Sequence, residues 1–360
     1  MERRFAGILL NSVMYRGIPR LNTGQESLSN YEEAASLYGV TPCYLRLEDI
    51  DAETGFAYAF IKGTRGYART IIPIPGVIHN RAIIGPENKR IEQLIRKGPK
   101  VFNTCNRYGK DIIHGLLEQH EDLKGYLPAT EKGASGLKTM MQQFPDLILK
   151  PCRGSVGNGV MRLTHVGNGR WIWSLMPSQG RWVTVPVHQD ALPKNLLLRL
   201  AAVPYLVQER ISLAEITGRP FDLRVSVQRN WGGEWQLTGM FAKVAPPGGF
   251  VSNIARGGEA VNASDALDHV FPRSKAANLR MAAGSLGLSV ARALDQHLEG
   301  LADIGLDIGI TGDGRLFFIE CNGRDQRYGF LKAGLAETWK KSYTHPISYA
   351  RYLMESGVPR

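Results

Sequence analysis

Three oxygen-bearing side chains near the end of the chain are spaced so that they meet. In IGLDIGITGDGRLFFIECN, residues 304–322, two short apolar strands flank a turn signal. Asp313-Gly314 is a two-residue loop sequence of the kind that takes positive φ at both positions. With that loop Gly312 faces Arg315, and Asp307 falls opposite Glu320. Side chains alternate along a strand, so Leu306, Ile308 and Ile310 share one face with Phe317, Ile319 and Cys321. Asp307, Glu320 and Asn322 share the other. Facing carboxylates repel unless positive charge lies between them. Two carboxylates and an amide oxygen form an all-oxygen set suited to a hard cation, Mg²⁺ with Mn²⁺ as its substitute, bridging to a phosphate. The same residues also read as the solvated polar face of an edge hairpin, and the hairpin alone leaves both readings open.

A second stretch with chemical content is LILKPCRGSVGNGVMRL, residues 147–163. An apolar strand ends at Lys150-Pro151, and a loop rich in glycine leads into another strand. Backbone N–H groups at Gly154 and Gly157 can approach phosphate oxygens closely, with Lys150 as counter-charge and Arg153 and Ser155 as further contacts. No GxxxxGK[ST] run is present, and the segment that follows is strand-like, so this is not a Walker A loop. A flexible glycine hairpin is the alternative.

The elements that must carry these groups are legible in outline. Ala6–Leu10, Pro42–Leu47 and Val77–Ile84 read as strands. Ser29–Tyr38 reads as a capped helix ending at Gly39, and the alternation predicts a small α/β sheet domain over residues 1–100. His79 and Arg81 on the third strand are candidate ligand contacts or structural polar residues. Lys110–His120 and Ser135–Phe144 read as helices. Phe221–Gln228 and Gln236–Val244 alternate as strands, the first with Asp222 and Arg224 on one face. Ala245–Phe250, APPGGF, is a breaker cluster. A long helix over 274–299 precedes the acidic hairpin, and 331–355 is helical.

Composition narrows the class. A chain of 360 residues is expected to divide into two or three domains. The net charge of +11 favours anionic partners, but no basic block interleaved with aromatics appears, which argues against nucleic acid. No apolar run reaches the roughly 18–20 residues of a membrane span. The opening MERRFAGILL reads as a first strand and not as a signal peptide. Cys43, Cys105, Cys152 and Cys321 are widely separated, which argues against zinc and for reduced thiols in a cytoplasmic compartment.

Taken in order, KPCRGSVGNGV, LVQERI, DLRV, SNIARGG and LDIG…FFIECN resemble the ATP-grasp superfamily. VIHNR, VFN, GKDIIHGLL and LPAT extend the resemblance to its spore-coat-associated YheC/YheD group. The NIARGG element with Lys243 is similar to the glutamate ligase that modifies a ribosomal protein's C-terminus. The resemblance implies an ATP-grasp fold, α/β and α+β. A Rossmann-like N-terminal domain would occupy 1–100, a central subdomain with a glycine-rich lid 101–207, and a C-terminal subdomain with the metal site 208–360. It implies that Lys110 and Lys150 meet the phosphates and that residues 154–159 form the lid. Gln208, Glu209 and Ile211 would meet adenine, and Asp222 the ribose. Arg224, Lys243, Asn253 and Arg256 would surround the γ-phosphate, and Asp307, Glu320 and Asn322 would bind Mg²⁺. The implied activity is an ATP- and Mg²⁺-dependent carboxylate–amine ligase working through an acyl phosphate on a peptide or acidic substrate, with a spore association. A non-catalytic coat-assembly protein on the same fold, and a phosphotransferase that stops at phosphorylation, are the alternatives. Where many ligases of the superfamily continue with proline and glycine after the asparagine, this chain has NGRDQR. Arg324 and Arg327 read either as anchors for a substrate carboxylate or as a surface ion-pair loop.

Overall fold

The computed structural model describes residues 4–154, 157–176 and 182–356, which form three sheets. The expected Ser155 contact lies outside the described residues. In the first sheet Phe5–Leu9 pairs in parallel with Thr41–Leu45 and Val77–Asn80, and the latter pairs in parallel with Lys100–Phe102. An antiparallel hairpin, Phe56–Gly63 with Gly66–Pro73, extends one side. The crossover helix Leu28–Tyr38 starts where the Ser27 hydroxyl accepts the Asn30 N–H, and stops at Gly39 with φ +62°.

The sheets cut the chain differently from the three contiguous segments expected. Lys100–Phe102 completes the first sheet, beyond residue 100. Ile113, Leu117 and Leu123 pack in the core of the third sheet, although they precede the second. From the far end, Tyr343, Ile347, Tyr349 and Ala350 of the Ala336–Glu355 helix pack with Ile8, Tyr31 and Tyr44. Local periodicity defines elements and carries no information about such returns.

The second sheet is antiparallel and contains Asp146–Pro151, Met161–Gly167 and Tyr205–Glu209. Its core is built on Trp171, Trp173 and Leu196. The third sheet runs Glu259–Asn262, Trp235–Val244, Arg219–Arg229, Asp303–Ile310, Leu316–Asn322, all antiparallel. Glu259–Asn262 carries no alternation strong enough to have been predicted. Along Arg219–Arg229, Phe221, Leu223, Val225 and Val227 are buried in the apolar core with the helix Arg273–Asp295. That helix approaches closely because Gly287 has no Cβ, which would lie 2.9 Å from Val225. The alternate residues Asp222, Arg224, Ser226 and Gln228 are buried on the opposite face. This strand therefore separates an apolar layer from a polar one.

The hairpin at 303–322 departs from expectation twice. Its loop spans Gly312, Asp313 and Gly314, and of these only Gly314 has positive φ, +94°. Thr311 closes it: its N–H donates to the Arg315 carbonyl at 3.0 Å and its hydroxyl accepts the Arg315 N–H at 2.9 Å. A three-residue loop of this form displaces the register by one, so Ile310 faces Leu316 and Ile308 faces Phe318. A bulge at Ile319 then restores it, and Asp307 faces Glu320 as the sequence predicts. The apolar face is corrected in consequence. Leu316 and Phe318 enter the core with Ile308 and Ile310, while Ile319 turns to the cleft.

Candidate active site

The second and third sheets enclose a cleft containing two connected cavities, of about 280 Å³ and about 170 Å³. Lys110, Lys150, Gly154, Gly157, Gln208, Lys243, Asn253, Asp307 and Glu320 line both. The smaller has an apolar wall of Ile148, Val160, Ile211, Leu213 and Ile319, a slot suited to a flat ring. The larger continues past Arg224 and Asn322 to Arg324, Gln326 and Tyr328.

Sheet register positions the charges. Asp222 lies directly opposite Lys243, and Arg224 directly opposite Asp307. Lys243 Nζ is 2.8 Å from Asp222 Oδ2 and 2.9 Å from Asp307 Oδ2. Arg224 Nε donates to Asp307 Oδ1 at 2.7 Å, and its Nη1 to Asp325 Oδ1 at 3.0 Å. Burial alone would raise the Asp307 carboxyl, but Arg224 and Lys243 hold it at about 2. At Asp222 burial and the nearby Asp307 push the carboxyl up, and Lys243 only partly offsets them. The Ser252 hydroxyl also donates to Asp222.

Lys110 Nζ lies 3.2 Å from Glu320 Oε1 and 3.3 Å from the Gly154 carbonyl, which ties the acidic hairpin to the glycine loop. Burial lowers the Lys150 ammonium and Lys110 adds to this, while Glu320 opposes it. Gly154, Gly157 and Gly159 have φ of +143°, +64° and +74°, conformations that side-chain-bearing residues rarely adopt. Glu209 Oε1 accepts the Ala129 N–H at 2.9 Å, and Gln208 Nε2 donates to Thr130 at 2.9 Å. Asn253 caps the turn after it, accepting the Ala255 N–H at 2.8 Å.

Two expected contacts are not brought to the cleft. Arg153 is exposed and lines neither cavity. Arg256 lines neither as well, and its guanidinium instead meets Met176 and Asn158. The Asn158 contact joins the Ile254–Arg256 turn to the glycine loop. Arg327 is neither a carboxylate anchor in the cleft nor part of a surface loop. It is fully buried against Asp303 and Tyr31. His79 and Arg81 belong to the same buried group, away from both cavities. Ile319 was missed because only the bulge turns it inward, and an extra residue between two strands leaves no pattern in the sequence.

Asp307, Glu320 and Asn322 are the residues that could hold a hard cation. Asp307 and Glu320 face each other, Asn322 lies two residues on, and the Asn322 amide nitrogen is buried without a hydrogen-bond partner among the described residues. That orphan donor suits a ligand oxygen in the cleft. Among the described residues no three His, Cys, Asp or Glu side chains converge, so the amide is needed to complete a three-oxygen set.

Two antiparallel α+β units clasping a lysine-lined cleft under a glycine loop define the ATP-grasp fold. Among solved structures the chain is similar to the ATP-grasp ligase PsnB complexed with minimal precursor, Mg and ADP, with TM-score 0.54, 14% identity, and 98% of this chain and 99% of that one covered. It is also similar to the VanG D-Ala:D-Ser ligase from Enterococcus faecalis, with TM-score 0.56, 10% identity, and 98% and 100% covered. Residues 98–353 match the family described as YheC/D like ATP-grasp, and the chain belongs to that family. One curated relative is the endospore coat-associated protein YheD of Bacillus subtilis (strain 168), 24% identical over 324 residues, 86% of this chain and 70% of the relative.

Proposed function

We propose that this protein is an ATP- and Mg²⁺-dependent carboxylate–amine ligase. The observation that carries the reading is the convergence of Lys110, Lys150 and Lys243 with Asp307, Glu320 and Asn322 in a cleft whose other end is an apolar slot. The adenine occupies the slot beside Ile211 and Ile319, with Gln208 and Glu209 on the strand that borders it and Asp222 toward the ribose. Lys110, Lys150 and the N–H groups of Gly154 and Gly157 hold the phosphates. Asp307, Glu320 and Asn322 would hold Mg²⁺, which when bound supplies positive charge to phosphate oxygens.

Existing ion pairs support this assignment. Lys110, Arg224 and Lys243 are already engaged with Glu320, Asp307, Asp325 and Asp222, so a divalent cation accompanying the nucleotide would supply charge that these paired groups do not. Arg224 and Lys243 keep Asp307 ionised and aimed, and Asn253 and Arg256 fix the loop that faces the glycine lid.

The γ-phosphoryl group passes to a substrate carboxylate, giving an acyl phosphate and ADP. An amine then attacks the acyl carbon, forming the amide and releasing phosphate. The chain's part is positioning and charge stabilisation. Incubation with MgATP and acidic acceptors is expected to yield ADP and an amide adduct, and hydroxylamine is expected to intercept the acyl phosphate as a hydroxamate. A phosphorylated product stable to hydroxylamine would identify a phosphotransferase instead. No ADP with any acceptor would favour a non-catalytic role, the reading motivated by the coat-associated name of the relative. A spore-associated setting is part of the proposal on that same basis, and a cytoplasmic one on the four separate free cysteines.

A further inference from the structure

Behind the larger cavity lies a buried ionic cluster that the phosphate chemistry does not use. Arg81 donates to Glu26 Oε1 from both Nε at 3.0 Å and Nη2 at 2.7 Å, and its Nη1 donates to Asp303 at 3.2 Å. Arg327 pairs with Asp303. Arg324 reaches Glu26 only at 3.5 Å, with the Met14 sulfur at the same distance. Burial lowers the His79 imidazole to about 4, so it is neutral near pH 7 although Asp303 lies 3.3 Å away.

The cluster thus sets two carboxylates, Glu26 and Asp303, against three guanidinium groups, Arg81, Arg324 and Arg327. One positive charge is left over. Arg81 and Arg327 are fully buried and each has a close carboxylate partner. Arg324 is the member with the long contact, and it is the member that lines the cavity. Its neighbours there include Gln326 and Tyr328, both able to hydrogen-bond an oxygen. A desolvated, underpaired guanidinium facing a cavity selects a planar anion that can take its two-pronged bond.

We infer that the Arg324 end of the larger cavity binds a carboxylate of the substrate distinct from the one that is activated, which makes the substrate an acidic one such as a glutamyl peptide. The inference rests on the ligase reading, since it takes the phosphate end as the place of activation. The N-terminal domain takes part in the selection, because Glu26 and Met14 orient Arg324 and Ile83 lines the same cavity.

Calorimetry on the whole protein with Mg²⁺ and a non-hydrolysable ATP analogue tests it, using Glu-Glu and Gln-Gln dipeptides as probes. The wild type is expected to bind Glu-Glu about tenfold or more tightly over Gln-Gln. Arg324→Gln should abolish the preference, Arg324→Lys should retain part of it, and analogue affinity should stay unchanged in both. Glu26 keeps its two bonds from Arg81 in either variant, and a melting curve checks the fold. Equal affinities in the wild type, or a preference that survives Arg324→Gln in a folded protein, would overturn the inference. If the analogue itself fails to bind, the ligase reading falls, and the dipeptide comparison still decides whether the anion site exists.

Discussion

Lys243 is the residue on which the charge of the cleft turns. It bridges Asp222 and Asp307, which lie on different strands and would otherwise be adjacent buried anions. Removing one partner of a buried ionic group leaves the remaining charge uncompensated. Lys243→Met is therefore expected to lower stability by about 3–5 kcal/mol, read from chemical denaturation. Adding Asp222→Asn should recover part of this, because Asp222 loses its ion-pair partner with Lys243 while Arg224 still pairs with Asp307. A loss confined to activity, with stability unchanged, would mean that Lys243 is not the bridge described here. The residue types at this centre were legible in the sequence: Lys150, Asp307, Glu320 and Asn322 stand in recognisable runs. Their partners were not, because Arg224 meets Asp307, 83 positions away, only through strand pairing.

At the scale of the element, the acidic hairpin shows how a correct pairing can arise from an incorrect turn. The sequence predicts a two-residue loop and an unbroken register, whereas a three-residue loop and a bulge at Ile319 together bring Asp307 to Glu320. The difference is physical: Asp313 does not need positive φ once Gly314 alone supplies it, and Thr311 satisfies the loop's N–H groups. Gly314→Ala is expected to cost about 1–2 kcal/mol in a melting experiment, since alanine is strained at φ +94°. Under a type I′ turn Asp313 would also lie at positive φ, and Asp313→Gly would then stabilise. With the loop found here it should not. The glycine loop was equally legible as glycine-rich, but which basic residues serve the cleft was not. Arg153 is exposed and lines neither cavity, and Arg256 is held by tertiary contacts to Met176 and Asn158.

Over the whole molecule, the N-terminal and C-terminal parts are joined by buried charge. Glu26, His79 and Arg81 come from the first sheet's side, and Asp303, Arg324 and Arg327 from the third. None of this joint was legible, since single polar residues in VIHNR and NGRDQR carry no sign of one another. It makes stability sensitive to acid. His79 is held at about 4, below its usual 6.5, chiefly by burial, so the unfolded chain binds its proton first. The stability it contributes is present above about pH 6.5 and is lost as pH falls through 4, on the order of 3 kcal/mol over that window. Glu26 follows: Arg81, Arg327 and Arg324 overcome its burial and hold it at about 2, so its contribution is lost as pH falls from about 4.5 toward 2. Burial lowers the His345 imidazole to about 4 as well, so denaturation midpoints are expected to fall steadily from pH 6.5 to 4, and His79→Gln should reduce that slope by about half. The central claim, that the hairpin binds metal and with it the nucleotide, is tested most directly by calorimetry of ATP with and without Mg²⁺, wild type beside Glu320→Gln. The account predicts Mg²⁺-dependent binding in the wild type that the substitution weakens about tenfold or more, at unchanged melting temperature. Binding that ignores both Mg²⁺ and the substitution, or no binding by the wild type, would contradict it.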